Sequence, residues 1–187
     1  MGRTIMDADL IGPPQIAAVA VLLQRGVEEL YSQRNTRRLV AAGGREEGRA
    51  YYPVVAVTHL AWIASIFFLI PATAAIFWPA ATLFLLLQVV RYWIIASLGR
   101  YWTHRIITLD GAPIVRRGPY RVIAHPNYAV TYAETFLLPL AFGATALAVI
   151  MAAVWISVIR YKIVLEDRAL ASRRDGGSNI ADRSVPG

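Results

Sequence analysis

The chain has 187 residues, 57% of them hydrophobic, and a formal net charge of +7 at pH 7, against roughly 45–50% apolar residues in ordinary soluble domains. With a mean hydropathy of +0.47, this excludes an ordinary soluble domain and predicts one compact membrane-embedded domain. Lys162 is the only lysine, so eighteen of the nineteen basic residues are arginine, and they lie beside apolar runs; that placement fits anionic lipid headgroups better than nucleic acid, and a chain without cysteine has neither disulfides nor thiolate-bound metals.

The N-terminal MGRTIMDADLIGPPQ carries acids ahead of the first apolar run and shows no Ala-x-Ala-like cleavage site, so no removable signal peptide is predicted. The first span runs from about Pro13 to Tyr31 and opens on two prolines, which suit a first helical turn. Its second half carries Arg25, Glu28 and Glu29, spaced so that Arg25 can reach either glutamate. A polar loop, SQRNTRRLVAAGGREEGRA, follows. The second span, Tyr52 to Ile70, is interrupted by Thr58, His59 and Ser65, and a turn at Pro71 leads to a third, Ala72 to about Leu98. After the segment Gly99 to Pro126 come a fourth span, Tyr128 to Leu140, a turn near Gly143, and a fifth, Ala144 to about Val164. The last two read as a helical hairpin. The expected fold is therefore all-α: a polytopic helical bundle of about five transmembrane helices, a single domain over residues 1–170, with a mobile tail over residues 171–187.

Charge tests that division. The loop after the first span holds Arg34, Arg37, Arg38, Arg45 and Arg49, the segment before the fourth holds Arg100, Arg105, Arg116, Arg117 and Arg121, and the tail holds Arg168, Arg173 and Arg174. The turns at Pro71 and Gly143 hold no charge. Arginine-rich segments stay in the cytoplasm, so five spans put the N-terminus outside and the C-terminus inside.

The chemistry concentrates in RGPYRVIAHPNY, Arg117 to Tyr128. Irregular backbone near a membrane is tolerated where protein covers it or it lines a cavity. Gly118-Pro119 sets a turn, and Pro126 holds His125 extended, so His125 and Tyr128 can face one pocket at the start of the fourth helix. The free N–H groups of that helix start suit a carboxylate. Arg160, Glu166 and Asp167 lie near the matching end of the fifth helix. A pocket with carboxylates, arginine, histidine and tyrosine suits a zwitterionic cofactor such as S-adenosylmethionine without selecting it.

Three stretches resemble the isoprenylcysteine carboxyl methyltransferase family: LGRYW (Leu98 to Trp102), RRGPYRVIAHPNY (Arg116 to Tyr128) and LEDRAL (Leu165 to Leu170). The middle one is similar to the family's G-P-Y-x-x-x-x-H-P-x-Y signature, the last to its E-E-x-x-L signature with Asp167 in place of the second glutamate. The resemblance covers about Leu83 to Leu170 and implies an integral-membrane, S-adenosylmethionine-dependent methyltransferase. It implies a cytoplasmic cofactor pocket built by the loop before the fourth helix and the C-terminal end of the fifth. Tyr120, Arg121, His125, Pro126, Asn127, Tyr128 and Glu166 would serve the cofactor, and Arg160 would meet its carboxylate or a substrate oxygen.

QRGVEELYSQRNTRRLVAAGG, Gln24 to Gly44, is similar to a bacterial branch found beside type III polyketide synthases, whose members methylate alkylresorcinols or alkylpyrones. That likeness implies a lipophilic acceptor entering from the bilayer of a bacterial cell membrane and a functional link to such a synthase. A resorcinol hydroxyl, with a phenol-like pKa of about 10, needs a base; Glu134 and His59 are the candidates, because ionisable residues within a membrane are functional suspects by default. Glu134 equally suits a buried pair with an arginine, and His59 a packing role. His104 suits the surface or a headgroup, and Trp78, Trp93 and Trp102 suit the interfacial aromatic belt. The alternatives are carboxyl methylation of an isoprenylcysteine, an NADPH-dependent membrane reductase, and a non-enzymatic scaffold or transporter subunit. Ligand binding separates them: S-adenosyl compounds, nicotinamide nucleotide, or neither.

Overall fold

The computed structural model describes residues 11–112, 115–123 and 125–182, with side chains described through Leu165. Among the described residues, five helices make the bundle: α1 (Pro13–Ala41), α2 (Tyr51–Leu69), α3 (Trp78–Leu98), α4 (Pro126–Leu140) and α5 (Thr145–Asp182). Prolines stand in the first turn of α1, α3 and α4, where the missing N–H costs nothing. Two short strands, β1 (Arg45–Glu47) and β2 (Ile106–Thr108), pair antiparallel with Arg45 opposite Thr108 and Glu47 opposite Ile106.

α1 is longer than the apolar pattern indicates: the polar stretch expected to be a loop is helical as far as Ala41. The reason is packing. Glu28, Ser32, Asn35 and Leu39 recur at helical spacing and are all buried. Ser32 Oγ accepts from the His104 backbone N–H at 2.8 Å, and Asn35 Nδ2 donates to the carbonyls of Gly99 and Trp102 at 3.1 and 2.8 Å. This part of α1 thus turns a polar face to a polar loop, which hydropathy cannot distinguish from exposure. α5 is likewise helical through Asp182, into the segment expected to be a tail; residues 183–187 lie outside the described residues.

Among the described residues, three helical stretches are long and apolar enough to cross a membrane: Tyr51–Leu69, Trp78–Tyr101 and Thr145–Leu165. α1 mixes Arg25, Glu28 and Glu29 into its apolar run, and the 15 residues of α4 reach only about 22 Å, short of a hydrocarbon core of about 30 Å. The three apolar stretches bury no more than 28% of their residues inside the bundle. Their outward faces carry side chains such as Val57, Phe68, Leu85 and Val89, each exposed by 63% or more, a surface that lipid and not water would cover.

The core gathers Ala18, Val21, Trp62, Ile66, Phe84, Leu138, Met151 and Trp155 from all five helices. The uncharged end closes tightly. Gln15 Nε2 donates to the carbonyls of Phe67 and Ile70 at 2.9 and 2.8 Å, and the Phe77 N–H donates to the Ala141 carbonyl at 2.8 Å. A Cβ on Gly12 would stand 1.9 Å from the Ala72 carbonyl oxygen. Gly12→Ala is expected to push the start of α1 off this turn and cost about 1–3 kcal/mol. Thermal unfolding in detergent checks this; an unchanged midpoint would show that the approach is not needed.

Candidate functional site

At the arginine-rich end, the segment before α4 is braced on α3. Gly118 opens a single 3-10 turn, Gly118–Arg121, with φ +55. A Cβ there would fall 2.2 Å from Ser97 Oγ and 3.2 Å from Trp93 Nε1, so both the conformation and the approach call for glycine. Beside it, Arg117 Nε donates to the Ser97 carbonyl at 2.6 Å. His125 has φ −126 and ψ 61, short of the extended backbone expected before a proline, and its ring stacks on Tyr128 with centroids 5.3 Å apart. The segment therefore fixes where α4 begins.

Behind Tyr128 lies a cavity of about 270 Å³, bounded by all five helices and the loop at His104. One end is polar. Glu29 Oε2 meets His104 Nδ1 at 2.7 Å, Lys162 Nζ donates to the His104 carbonyl at 3.1 Å and stands 5.0 Å from the centroid of the Tyr128 ring. Asn127 also lines this end, and its buried Oδ1 has no partner among the described residues. The deeper end is formed by Arg25, His59 and Trp155, with Leu22, Leu60 and Ile63 on the apolar wall. His59 Nδ1 lies 3.2 Å from the Val55 carbonyl, and its ring packs edge-on against Trp155 at 4.3 Å.

A charged network forms the cavity floor between α1, α3 and α4. Arg91 Nε donates to Glu134 Oε1 at 2.8 Å, while its Nη2 reaches both Glu134 Oε2 and Thr131 Oγ1, the latter at 2.9 Å. Arg25 Nη2 donates to Glu134 Oε2 at 2.7 Å and Nη1 to Glu28 Oε2 at 2.6 Å. Arg91 Nη1 stands 3.4 Å from Glu28 Oε2. Gln88 Nε2 donates to Glu134 Oε1 at 2.9 Å, and Gln88 Oε1 accepts from Gln24 Nε2 at the same distance. Two guanidiniums and two carboxylates make the cluster neutral, the condition under which charges survive away from water.

A family model for the isoprenylcysteine carboxyl methyltransferase (ICMT) family matches residues 80–172. The uncharacterized protein YpbQ of Bacillus subtilis (strain 168) is 31% identical over 157 residues, which cover 81% of this chain and 94% of the relative. The chain belongs to the isoprenylcysteine carboxyl methyltransferase family. No solved structure matches it. Members of the family are integral-membrane methyltransferases that use S-adenosylmethionine. The matched region takes in α3, the braced segment, α4 and much of α5, so the part of this ICMT-family chain that the model leaves unmatched is mainly α1 and α2, which supply much of the cavity wall.

Of the residues singled out in the sequence, His59, Asn127 and Tyr128 line the cavity. Pro126 is buried at the start of α4, and His125 reaches the cavity wall through its stack on Tyr128. Tyr120 is half-buried in the braced turn, and Arg121 is exposed on it. Glu134 is buried in the charged network with both oxygens taken, the arginine-paired arrangement. Arg160 is on the exposed face of α5, away from the cavity lining, and the side chain of Glu166 lies outside the described residues.

Four further residues enter the site: Arg91, Gln88 and Lys162, to which the sequence assigns no role, and His104, which reads there as a surface or headgroup residue. Arg91 had a signal: it is the one charged residue in the otherwise apolar α3, and the rule that marks His59 and Glu134 marks it too. His104 is partly exposed and is the partner of Glu29, while Trp102 is not a belt residue, being 2% exposed behind the loop. Trp78 and Trp93 are exposed, as an interfacial position requires.

Proposed function

We propose that the protein transfers the methyl group of S-adenosylmethionine to an oxygen of a lipophilic acceptor, best matched by a long-tailed alkylresorcinol or alkylpyrone. The observation that carries the reading is the division of the cavity into a polar end, to which the H-P-x-Y stretch contributes Asn127 and Tyr128, and a deeper end walled by Leu22, Leu60 and Ile63. The likeness of Gln24 to Gly44 to the branch that works beside type III polyketide synthases supports the acceptor. The arginine-rich loops support a topology with this end of the bundle in the cytoplasm and the N-terminus outside, with α1 and α4 crossing beside the three longer spans.

The polar end fits the cofactor. Asn127 lines this end, the Glu29 carboxylate suits an ammonium, Lys162 suits a carboxylate, and the tyrosines suit a cation held against an aromatic face. When bound, the cofactor supplies an electrophilic methyl group. The protein's tasks are then to align the acceptor oxygen and to exclude water. The tail of a lipid acceptor would enter past Leu22 and Leu60, both largely exposed on the bundle's outer face and both in the cavity wall.

Calorimetric titration of the detergent-purified protein with S-adenosylmethionine, S-adenosylhomocysteine and NADPH tests the reading. The S-adenosyl compounds are expected to bind, and Asn127→Ala and Lys162→Met each to weaken binding by about 10-fold. Binding of NADPH alone would replace the reading with a reductase. A folded preparation that binds none of them would point to a scaffold or transporter subunit.

A further inference from the structure

Gly26 stands in the middle of α1, its φ is not positive, and beyond its own helical turn a Cβ on it would meet nothing within 4 Å among the described residues. In a membrane helix glycine ordinarily serves the close approach of a second backbone, and in a helix interior it costs stability relative to alanine. Neither a turn nor a packed neighbour among the described residues offsets that cost here. What Gly26 does border is the cavity. At about 100° per residue, Leu22, Arg25 and Glu29 form one edge of α1 and Leu23, Val27 and Leu30 another. The first three line the cavity, while the second three lie outside its lining and are each exposed by 66% or more. Gly26 falls between the two edges and is itself exposed, so it marks where the cavity opens towards lipid. Leu22, one turn before it, and Leu60 on α2 both belong to the lining and are exposed, which makes the rim apolar.

We infer that Gly26 holds open the port through which the hydrocarbon chain of the acceptor leaves the cavity for the bilayer, the absent side chain giving the port its width. The inference rests on the methyl-transfer reading and names the residue on which its lipid route depends. Size makes a port necessary. The cavity of about 270 Å³ is below the roughly 300–1,000 Å³ of sites that enclose one drug-sized ligand, so a cofactor and a long chain do not both fit inside. The chain has to cross the bundle surface, and Gly26 places the crossing beside the polar end. Glu29, three residues on, belongs to that end, and Leu22, four residues back, to the apolar wall. The head of the acceptor then stays in the cavity while its chain runs out among lipid tails, a medium as apolar as leucine. A larger side chain at position 26 would close this gap, and the stability that glycine forgoes is the kind of loss accepted where a site must stay open. The family model begins at residue 80, so α1 and its port lie outside it.

The test uses the full chain reconstituted in lipid nanodiscs. The probes are 5-pentadecylresorcinol and 5-pentylresorcinol, which differ only in the length of the chain, and S-adenosylhomocysteine is titrated separately. Gly26→Leu is expected to weaken binding of the long-chain compound by about 10-fold or more, and to leave the short-chain compound and S-adenosylhomocysteine as in the parent. Leu30→Phe adds bulk to the same helix outside the cavity lining and is expected to change none of the three. Gly26→Ala has room for its Cβ and is expected to raise the unfolding midpoint by about 2–4 °C. A midpoint lowered by Gly26→Ala would give the glycine a structural reason and overturn the inference. So would an unchanged long-chain affinity in Gly26→Leu, or an equal loss for both resorcinols. A Gly26→Leu protein altered only in oligomeric state would overturn it too, since the glycine would then seat a second helix. Failure of S-adenosylhomocysteine to bind the parent would instead overturn the methyl-transfer reading, and failure of the long-chain resorcinol to bind the parent would overturn its acceptor.

Discussion

Arg91→Met is expected to destabilise the bundle by about 3–5 kcal/mol. The substitution removes one of the donors to each oxygen of Glu134, leaving those from Gln88 and Arg25, and takes a positive charge from a neutral cluster of Arg25, Glu28, Arg91 and Glu134. What remains is one arginine for two carboxylates in a position where Glu134 is 1% exposed. The expense lies in the unpaired charge, more than in the lost contact. The double variant Arg91→Met/Glu134→Gln restores neutrality and is expected to recover at least half of the loss. Thermal unfolding in detergent, followed by near-ultraviolet circular dichroism, measures both. An Arg91→Met protein as stable as the parent would show that the cluster does not tie α1, α3 and α4 together, and a double variant no better than the single would show that charge balance is not the cause.

The second large effect is expected at Gly118. Gly118→Ala must hold an L side chain at φ +55, a strain of about 1–3 kcal/mol, and must place a Cβ 2.2 Å from Ser97 Oγ. The two together are expected to cost about 2–4 kcal/mol and to shift the braced segment from Arg117 to Tyr128 off the end of α3. Because Asn127 and Tyr128 begin α4 at the cavity wall, affinity for S-adenosylhomocysteine is expected to fall by about 10-fold or more. Adding Ser97→Ala removes the overlap with Oγ but leaves the backbone strain, so the double variant should recover part of both losses. Full affinity in Gly118→Ala would mean that the brace does not position the start of α4.

Both variants act where the sequence is informative in different ways. Gly118-Pro119 next to His125-Pro126 announces a rigid segment from residue types alone, because glycine and proline act through the backbone and need no partner to be recognised. What the segment rests on, Ser97 and Trp93, could not be read from it. Arg91 is the converse case. It is a single charge in an apolar run, visible as an anomaly, yet its meaning depends on Glu134 and Glu28, 43 and 63 residues away.

The candidate site shows the same limit. His59, Asn127 and Tyr128 were legible because a histidine in an apolar helix and an H-P-x-Y stretch stand out locally. Arg25 was seen as the neighbour of Glu28, but not as a donor to Glu134 across the bundle. Lys162 and His104 carry no signal beyond what is ordinary at a membrane surface for a lysine near a helix end and a histidine in a basic loop. Their roles come from a carbonyl and a carboxylate contributed by distant parts of the chain.

By itself, then, the sequence determined the membrane character of the chain, five helices, the location of the turns, the family and the segment that starts α4. These follow from properties that need no tertiary partner: runs of apolar residues too long for a soluble core, the fixed backbone preferences of glycine and proline, and arginine placed beside the runs. Only the tertiary structure decided that α1 continues to Ala41, that β1 and β2 pair across the loops, that the charges of three helices cancel at the cavity floor, and which buried polar atoms are left without a partner among the described residues. Those outcomes depend on which helix faces are turned towards each other, and hydrogen-bond donors and acceptors are satisfied or orphaned by neighbours in space, whatever their separation along the chain.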